Sequence, residues 1–482
     1  MKAFSVSKRL LSVLSLLLAI VMLFSACGPD ENTSETSDLD DAQVSSEETQ
    51  DENNESEEDN QDNQDDNKDD NTTSKKPSGK NNAFDNSQDA TFYKSAPKGE
   101  IHILMWRNWH KSEQLLIDQY RKLTGVKVKT TLVAEGDYAT KLVTMVTSKN
   151  SPDIVCLTSN NFPGMVTNTL QPLDAKTFQL DSDCWSKSLM DAYKINGRYF
   201  GVAQPQSWSC EDLNYVTYYN PTILKATGIT TTPYQLYKQG KWNWETQGEI
   251  ARKAKQAGKT GLALQSTDVF MHSAGQDFVS YDGKQFKNLL GGSKSNQLLI
   301  NAWTEVAKLQ ADGAIGGWST DFASGKIAMM TGIAYGLYKE GDWFTEAVGK
   351  SLEAVPVAGP KGKTAYTPIR PKTWGVPKRA KNAEGAAYFL RYFLDTSAFD
   401  FSSTFYNKQF GEVFNIITKP SAKKSVMFGW GITDYITPNK YNEVCSALAK
   451  SSAKDIRSKI DQAGSTINSP VSRANKDLKK VK

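Results

Sequence analysis

Patterns that carry out covalent chemistry are scarce in this 482-residue chain. No G-x-S-x-G elbow offers a serine nucleophile, and no H-E-x-x-H sets two zinc-binding histidines on one helix face. Gly258-Lys259-Thr260 and Gly362-Lys363-Thr364 copy the end of a phosphate-cradling loop. Lys253 and Val357, however, stand where that loop needs its first glycine. Ser421-x-x-Lys424 and Ser451-x-x-Lys454 fit a short acyl-transfer pattern that also arises by chance in Lys/Ser-rich surface. The chain has three histidines, which argues against a His-rich metal site or a His-driven switch. Cys156, Cys184, Cys210 and Cys445 show no C-x-x-C spacing, so no zinc site follows. They read as buried free thiols, although nothing in the spacing forbids pairing in an exported protein. No residue pattern calls for a metal or a cofactor. Aromatic side chains, by contrast, are plentiful: eleven Trp and nineteen Tyr, several at loop positions outside any helical stripe.

The formal net charge of +3 hides an uneven distribution. Residues 30–70 hold 19 Asp and Glu against one Lys, whereas the chain from residue 71 onward holds 53 Lys and Arg against 35 Asp and Glu. The chain is thus an acidic segment joined to a basic body. Lys2, Lys8 and Arg9 precede a run of about 15 mostly apolar residues, Leu10–Phe24, too short for a spanning helix of about 20 residues. A basic start, a short apolar stretch and small residues make residues 1–26 an export signal. Leu23-Phe24-Ser25-Ala26-Cys27-Gly28 resembles the lipobox of bacterial lipoproteins, which implies that Cys27 becomes a lipid-modified amino terminus. An ordinary cleaved signal, or an uncleaved anchor helix, is the alternative reading. Residues 27–96 are rich in Asp, Glu, Asn, Ser and Gln and cannot bury enough surface to offset the entropy of ordering. They are expected to form a disordered tether with a root-mean-square reach of roughly 45 Å. Asp59-Asn60-Gln61-Asp62 and Asp65-Asp66-Asn67 lack the central Gly and closing Glu of a calcium loop.

From Gly99 the pattern becomes strand, helix, strand, helix, strand. Ile101–Met105 reads as a buried strand, and Glu113–Leu123 as a helix with Leu116, Tyr120 and Leu123 on one face, closed by Gly125. Val126, Val128, Thr130 and Leu132 read as the inward face of an alternating strand. Tyr138, Leu142, Val143 and Val146 mark the next helix, and Asp153–Leu157 the next strand. That order predicts a parallel sheet with helical crossovers, with ligands held beyond the carboxyl ends of the strands. The loops in that place are Trp106–His110 and Thr158–Phe162.

Those segments carry a resemblance that runs from about residue 97 to 440. Trp106-Arg107-Asn108-Trp109 is followed by Ile117-Asp118-Gln119-Tyr120, Thr124-Gly125-Val126-Lys127-Val128, and Asp137-Tyr138 before Lys141-Leu142. Ser151-Pro152-Asp153-Ile154-Val155, Leu170-Gln171-Pro172-Leu173-Asp174 and Asn196-Gly197-Arg198-Tyr199-Phe200-Gly201-Val202 come next. Tyr218-Tyr219-Asn220, Thr227-Gly228-Ile229 and Trp242-Asn243-Trp244-Glu245 lead to Phe322-Ala323-Ser324-Gly325-Lys326-Ile327-Ala328-Met329, the most specific piece. In this order the segments resemble the extracellular solute-binding proteins of ABC importers, in the sugar-binding group that includes maltose-binding protein. The resemblance implies an α/β protein of the two-lobe, periplasmic-binding-protein type (type II), closing by hinge motion on a ligand in the cleft. It places crossovers near Val202–Gln206, Ile369–Thr373 and Asn407–Glu412. The expected lobes are 97–204 plus 373–408, and 205–372 plus 409–482. It further implies a lipid-anchored monomer on the extracytoplasmic face, a carbohydrate ligand and a permease partner.

Sugar recognition needs aromatic faces for pyranose rings and polar groups for hydroxyls. Trp106 and Trp109 follow a strand end, and Trp208 follows the first crossover. Tyr335 stands after the Gly325–Met330 motif, where the family presents a ligand-contacting aromatic. Trp343 lies a little further on, and Trp374 sits at the second crossover as the leading candidate. Arg107, Asn160, Asn161, Gln204 and Gln265 are the candidates for hydroxyls. Trp303 shares a helix face with Leu299, Ala302 and Val306 and reads as core, Trp242 and Trp244 as helix staples, Trp185 as packing. Two other classes stay open: a surface lipoprotein that degrades glycans with two carboxylates across a cleft, and a glycan adhesin. The basic body also leaves room for an acidic sugar paired with Arg107 or Arg370. No nucleic-acid-binding signature accompanies that charge.

Overall fold

The computed structural model describes residues 88–481 apart from 159–160, 183, 204–213, 292–296, 318, 340–342, 395–403, 420 and 435–439. Three strands open the body: β1 (Glu100–Met105), β2 (Lys127–Leu132) and β3 (Ile154–Leu157). Next come β4 (Tyr215–Tyr219), β5 (Thr260–Leu264), a hairpin of β6 (Val279–Tyr281) and β7 (Phe286–Asn288), β8 (Ile327–Ile333) and β9 (Glu353–Pro356). The last are β10 (Thr367–Ile369), β11 (Thr373–Gly375) and β12 (Lys424–Val426).

The first lobe is built on a sheet of order β11-β3-β1-β2, parallel except for β11. Parallel strands need long crossovers, and helices Lys111–Thr124 and Tyr138–Thr147 supply them. The first of these buries Leu116, Ile117 and Tyr120 and stops at Gly125, whose φ of 71° suits glycine. Its N–H donates back to Arg121 O at 2.8 Å. Helix Ala383–Leu394 covers the same face: Tyr120 meets Phe389 edge-on, with centroids 5.2 Å apart. β2 alternates as expected but is an edge strand, so Leu132 is 49% exposed and does not belong to the core. On the second crossover helix Val143 likewise faces outward, while Met145 takes the buried place.

The second lobe holds a sheet of order β5-β8-β4-β9, in which β5 and β8 are parallel and the other pairs antiparallel. Helix Trp244–Gln256 lies directly on β5, because Gly261 has no side chain: a Cβ there would sit 2.2 Å from Ala251 O. Trp303 is buried on helix Gln297–Ala311, as its face predicted, and Trp242 and Trp244 are buried where they open their helix.

The chain leaves the first lobe after Ala203, and Ile369–Thr373 runs back to it. There β10 pairs with β12, Val202 exchanges both backbone hydrogen bonds with Trp374 at 2.9 Å, and Tyr193 Oη donates to Pro371 O at 2.6 Å. The third crossover was expected near Asn407–Glu412. Phe405 bridges Tyr338, and Asn407 donates to Gly349 O and Leu352 O while capping helix Lys408–Thr418. Residues 404–408 therefore pack with the second lobe.

A C-terminal helix, Ile456–Leu478, grips the β6–β7 hairpin through Asn475, which accepts from Phe286 N at 2.7 Å and donates to Phe286 O at 2.9 Å. Beneath it Asp277 is buried and accepts from Phe278 N, Phe428 N and Gly429 N. Burial raises its pKa, against the lowering pull of His272 and of these three N–H groups. A carboxyl whose native pKa lies above its unfolded value of about 3.9 binds its proton more readily in the folded state. Its contribution to stability is full below that unfolded value and is lost as pH rises through the native value. Asp277→Asn should flatten this decline in a series of urea midpoints against pH; an unchanged slope would locate the titration elsewhere.

Candidate functional site

Two walls face each other at the carboxyl ends of the strands. On the first lobe, β1 ends at Met105 and the loop Trp106–His110 turns into helix Lys111–Thr124. On the second, β5 ends before Gln265, and β8 runs into a 3₁₀ turn, Ala334–Leu337, that carries Tyr335. The walls meet where Tyr335 Oη stands 3.4 Å from His110 Nε2, the rings 5.7 Å apart.

Behind Tyr335 lies Trp343, edge-on with centroids 6.4 Å apart. Two glycines let the indole lie against the backbone: a Cβ on Gly332 would be 3.3 Å from Trp343 Cζ3, and one on Gly336 2.8 Å from Cε3. Gln265 is exposed and its Oε1 accepts from Ile333 N at 2.8 Å, which fixes the side chain beside this ring. Between the walls, Lys372 on the crossover is buried, with Nζ 5.9 Å from the Trp106 ring. Arg370 Nη2 donates to Tyr215 Oη at 3.0 Å. Burial raises the Tyr215 pKa, against the pull of the guanidinium, so that hydroxyl is neutral at physiological pH. The arrangement offers partly exposed aromatic rings, amide and cationic donors, and a hinged backbone, which suits the noncovalent capture of a polar ring compound. Among the described residues no group of three His, Cys, Asp or Glu could hold a metal ion.

The sequence profile of a bacterial extracellular solute-binding protein family matches residues 116–404, more than half of the chain. The chain belongs to this family. No curated protein matches this solute-binding protein. Solved structures do. The cyclic α-maltosyl-1,6-maltose binding protein of Arthrobacter globiformis is 16% identical, with a TM-score of 0.59, covering 78% of this chain and all of its own. The galacto-N-biose/lacto-N-biose I-binding protein of Bifidobacterium longum is 14% identical, with a TM-score of 0.58, covering 79% of this chain and 98% of its own. An ABC substrate-binding protein from Listeria monocytogenes, in complex with cycloalternan, is 18% identical, with a TM-score of 0.54, covering 77% and 99%. At these identities the likeness speaks to the fold, the two-lobe binding-protein architecture.

The structure sorts the candidates of this solute-binding protein into three groups. Tyr335, Trp343 and Gln265 come together on one wall, and Trp106 stands partly buried on the other, edge-on to Tyr138 at 5.0 Å. Trp374, the leading candidate, is instead 1% exposed in the core of the first lobe. It stacks on Trp109 with centroids 6.1 Å apart and meets Phe393 edge-on. Trp109 is committed to the same core, and its Nε1 donates to Thr130 Oγ1 at 2.8 Å. Trp374 therefore offers a ligand almost no surface, while Trp109 is partly exposed. Arg107 is also engaged elsewhere, in a two-pronged ion pair with Glu113 at 2.7 and 2.8 Å. Glu113 accepts from His110 N as well, so in this structure the guanidinium is engaged at the start of the helix. Because Glu113 is buried, Arg107→Gln should cost about 2–3 kcal/mol in urea unfolding by stranding that carboxylate. Ligand affinity should move less than twofold; a larger loss would return the guanidinium to the site. Asn161 turns its Oδ1 onto Thr158 N at 3.0 Å, shaping its own loop.

Asn160, Gln204 and Trp208, like Cys210, Cys27 and the acidic segment, lie outside the described residues. Cys156 and Cys445 are buried, as expected, and Cys184 is half-buried. Sequence reasoning passed over His110 and Lys372. His110 directly follows the Trp106–Trp109 run, so its place at the strand end was available as a signal. Lys372 had none beyond its position on the crossover.

Proposed function

We propose that this protein is a lipid-anchored receptor of an ABC importer that closes its lobes on an oligosaccharide and delivers it to a membrane permease. The observation that supports the reading is the meeting of the two walls at His110 and Tyr335, with Trp343, Gln265 and Lys372 behind them. Hinged lobes that touch across such a surface can bury a sugar on both faces and let it go again. Capture followed by release suits a Kd in the micromolar range, about −8 kcal/mol. Cys27, reached after a short export signal, supplies the anchor in this reading, and the chain from there to residue 87 the leash; the tether expected over 27–96 is shorter, because helix Gln88–Lys94 packs on the first lobe with Tyr93 buried in its core.

A calorimetric panel tests the function. Maltotetraose, lacto-N-biose and cycloalternan, which occupy proteins of this fold, are the first probes. A binding receptor takes up one equivalent of a matching sugar, gives it back intact on chromatography, and gains about 2.7 kcal/mol of stability at 100 times the Kd. Cleaved sugar would sink the reading in favour of a glycan-degrading lipoprotein. For the anchor, Cys27→Ser should release the protein from the membrane fraction into the medium.

A further inference from the structure

The second lobe contains a cavity of about 300 Å³ that shares no lining residue with the walls of the cleft. Its walls are aromatic and rigid. Trp242 is pinned by Nε1 donating to Pro356 O at 2.8 Å, and Tyr366 by its backbone N–H on Ser273 O at 2.9 Å. Its charge has one sign. Lys363, Lys419 and Lys423 line it, and no Asp or Glu does. Lys423 is held by the Thr367 N–H on its carbonyl at 2.8 Å, with Nζ 5.5 Å from the Tyr366 ring centre.

The neighbouring groove shows what ordinary surface charge looks like in this lobe. Three of its four cations are matched by acids, Lys361 with Glu245 at 2.5 Å, Lys308 with Glu305 at 2.9 Å and Arg252 with Asp312 at 2.6 Å, and the fourth is Lys363, which the groove shares with the cavity. Lys363, Lys419 and Lys423 form no such ion pair among the described residues. Part of their charge answers the carboxyl end of helix Lys408–Thr418, which ends at Lys419. A helix end carries about half a negative charge, so about two and a half positive charges remain over one small cavity. The three ammonium groups are exposed and their repulsion is screened by solvent, and an anion seated among them would be attracted by all three.

We propose that this cavity is a second binding site, for a phosphorylated sugar unit. The lysines take the phosphate as point charges, as lysine does in phosphate loops. The Tyr366 and Trp242 rings face the sugar, and Ser421 and Thr364 supply hydroxyls. The volume lies at the small end of ligand pockets, which limits the occupant to about one unit. A free sugar phosphate and a phosphate-linked unit of a surface polymer share this chemistry.

The test is calorimetry on the full-length protein with glucose 6-phosphate, its methyl phosphodiester, glucose and inorganic phosphate. Saturable binding of glucose 6-phosphate is expected, weakened at least tenfold by the double variant Lys363→Gln/Lys423→Gln and unchanged by Trp343→Ala in the cleft. The double variant should bind the cleft's oligosaccharide normally, which separates failure here from failure of the receptor reading. Diester binding as tight as monoester binding would point to polymer units, and monoester binding alone to the free sugar. Absence of saturable binding would overturn the proposal. So would loss of binding in Trp343→Ala, glucose binding as well as its phosphate, or inorganic phosphate doing so. The lysines are exposed, so the variants should keep their unfolding midpoint. If they do not, a salt titration of the unaltered protein decides: affinity that does not weaken between 0.05 and about 0.5 M salt would refute charge recognition.

Discussion

Trp374→Ala should cost about 3–5 kcal/mol of stability, the range for emptying a large aromatic site in a packed core, and leave sugar affinity in the folded protein unchanged. The ring fills space between Trp109, Phe393 and the strand it stands on, and it is almost wholly buried. Its Nε1 has no hydrogen-bond partner among the described residues, an unusual state for a buried indole. That sharpens the expectation for a second variant. Trp374→Phe keeps most of the apolar volume and removes the unpartnered donor, so it should cost clearly less than the alanine, about 1–2 kcal/mol. Urea midpoints of the two variants give the comparison. Lost sugar binding at an unchanged midpoint would move the ring into the cleft and overturn the assignment.

The misplacement of Trp374 shows where sequence periodicity stops. The parallel core was legible because Ile101–Met105, interrupted by His102 alone, and Ile154–Leu157 are apolar runs separated by amphipathic helices, and each crossover had its own stop signal, such as Gly125. β11 has three residues, Thr373–Gly375, and a strand that short has no alternation to read. Its facing was decided by pairing antiparallel with β3, which sets Trp374 opposite Cys156 and turns the ring toward helix Ala383–Leu394. Arg107 fails for a related reason. A guanidinium after a strand looks free until the helix that follows brings Glu113 back to it, six residues on. Tyr335 and Trp343 stayed visible because they follow a long, well-marked strand. His110 did not stand out, since its partner lies 225 residues away in sequence.

Trp343→Ala and Tyr335→Ala should each weaken sugar binding by roughly 30-fold, about 2 kcal/mol, while the protein stays folded. Both rings are partly exposed, so their truncation empties less core than that of Trp374, and the loss should fall on binding. They touch each other, so the double variant should lose less than the product of the singles. Tyr335→Phe removes the 3.4 Å contact with His110 while keeping the ring, and should cost about 1 kcal/mol. The strongest version changes no ring at all. Gly336→Ala places a methyl 2.8 Å from Trp343 Cε3 and 3.1 Å from Phe344, so the indole must shift off its seat. If Trp343 binds sugar from that seat, this added methyl should weaken affinity nearly as much as deleting the indole, with every ligand-contacting group still present. Normal affinity in Gly336→Ala and in Trp343→Ala together would remove this wall from the site.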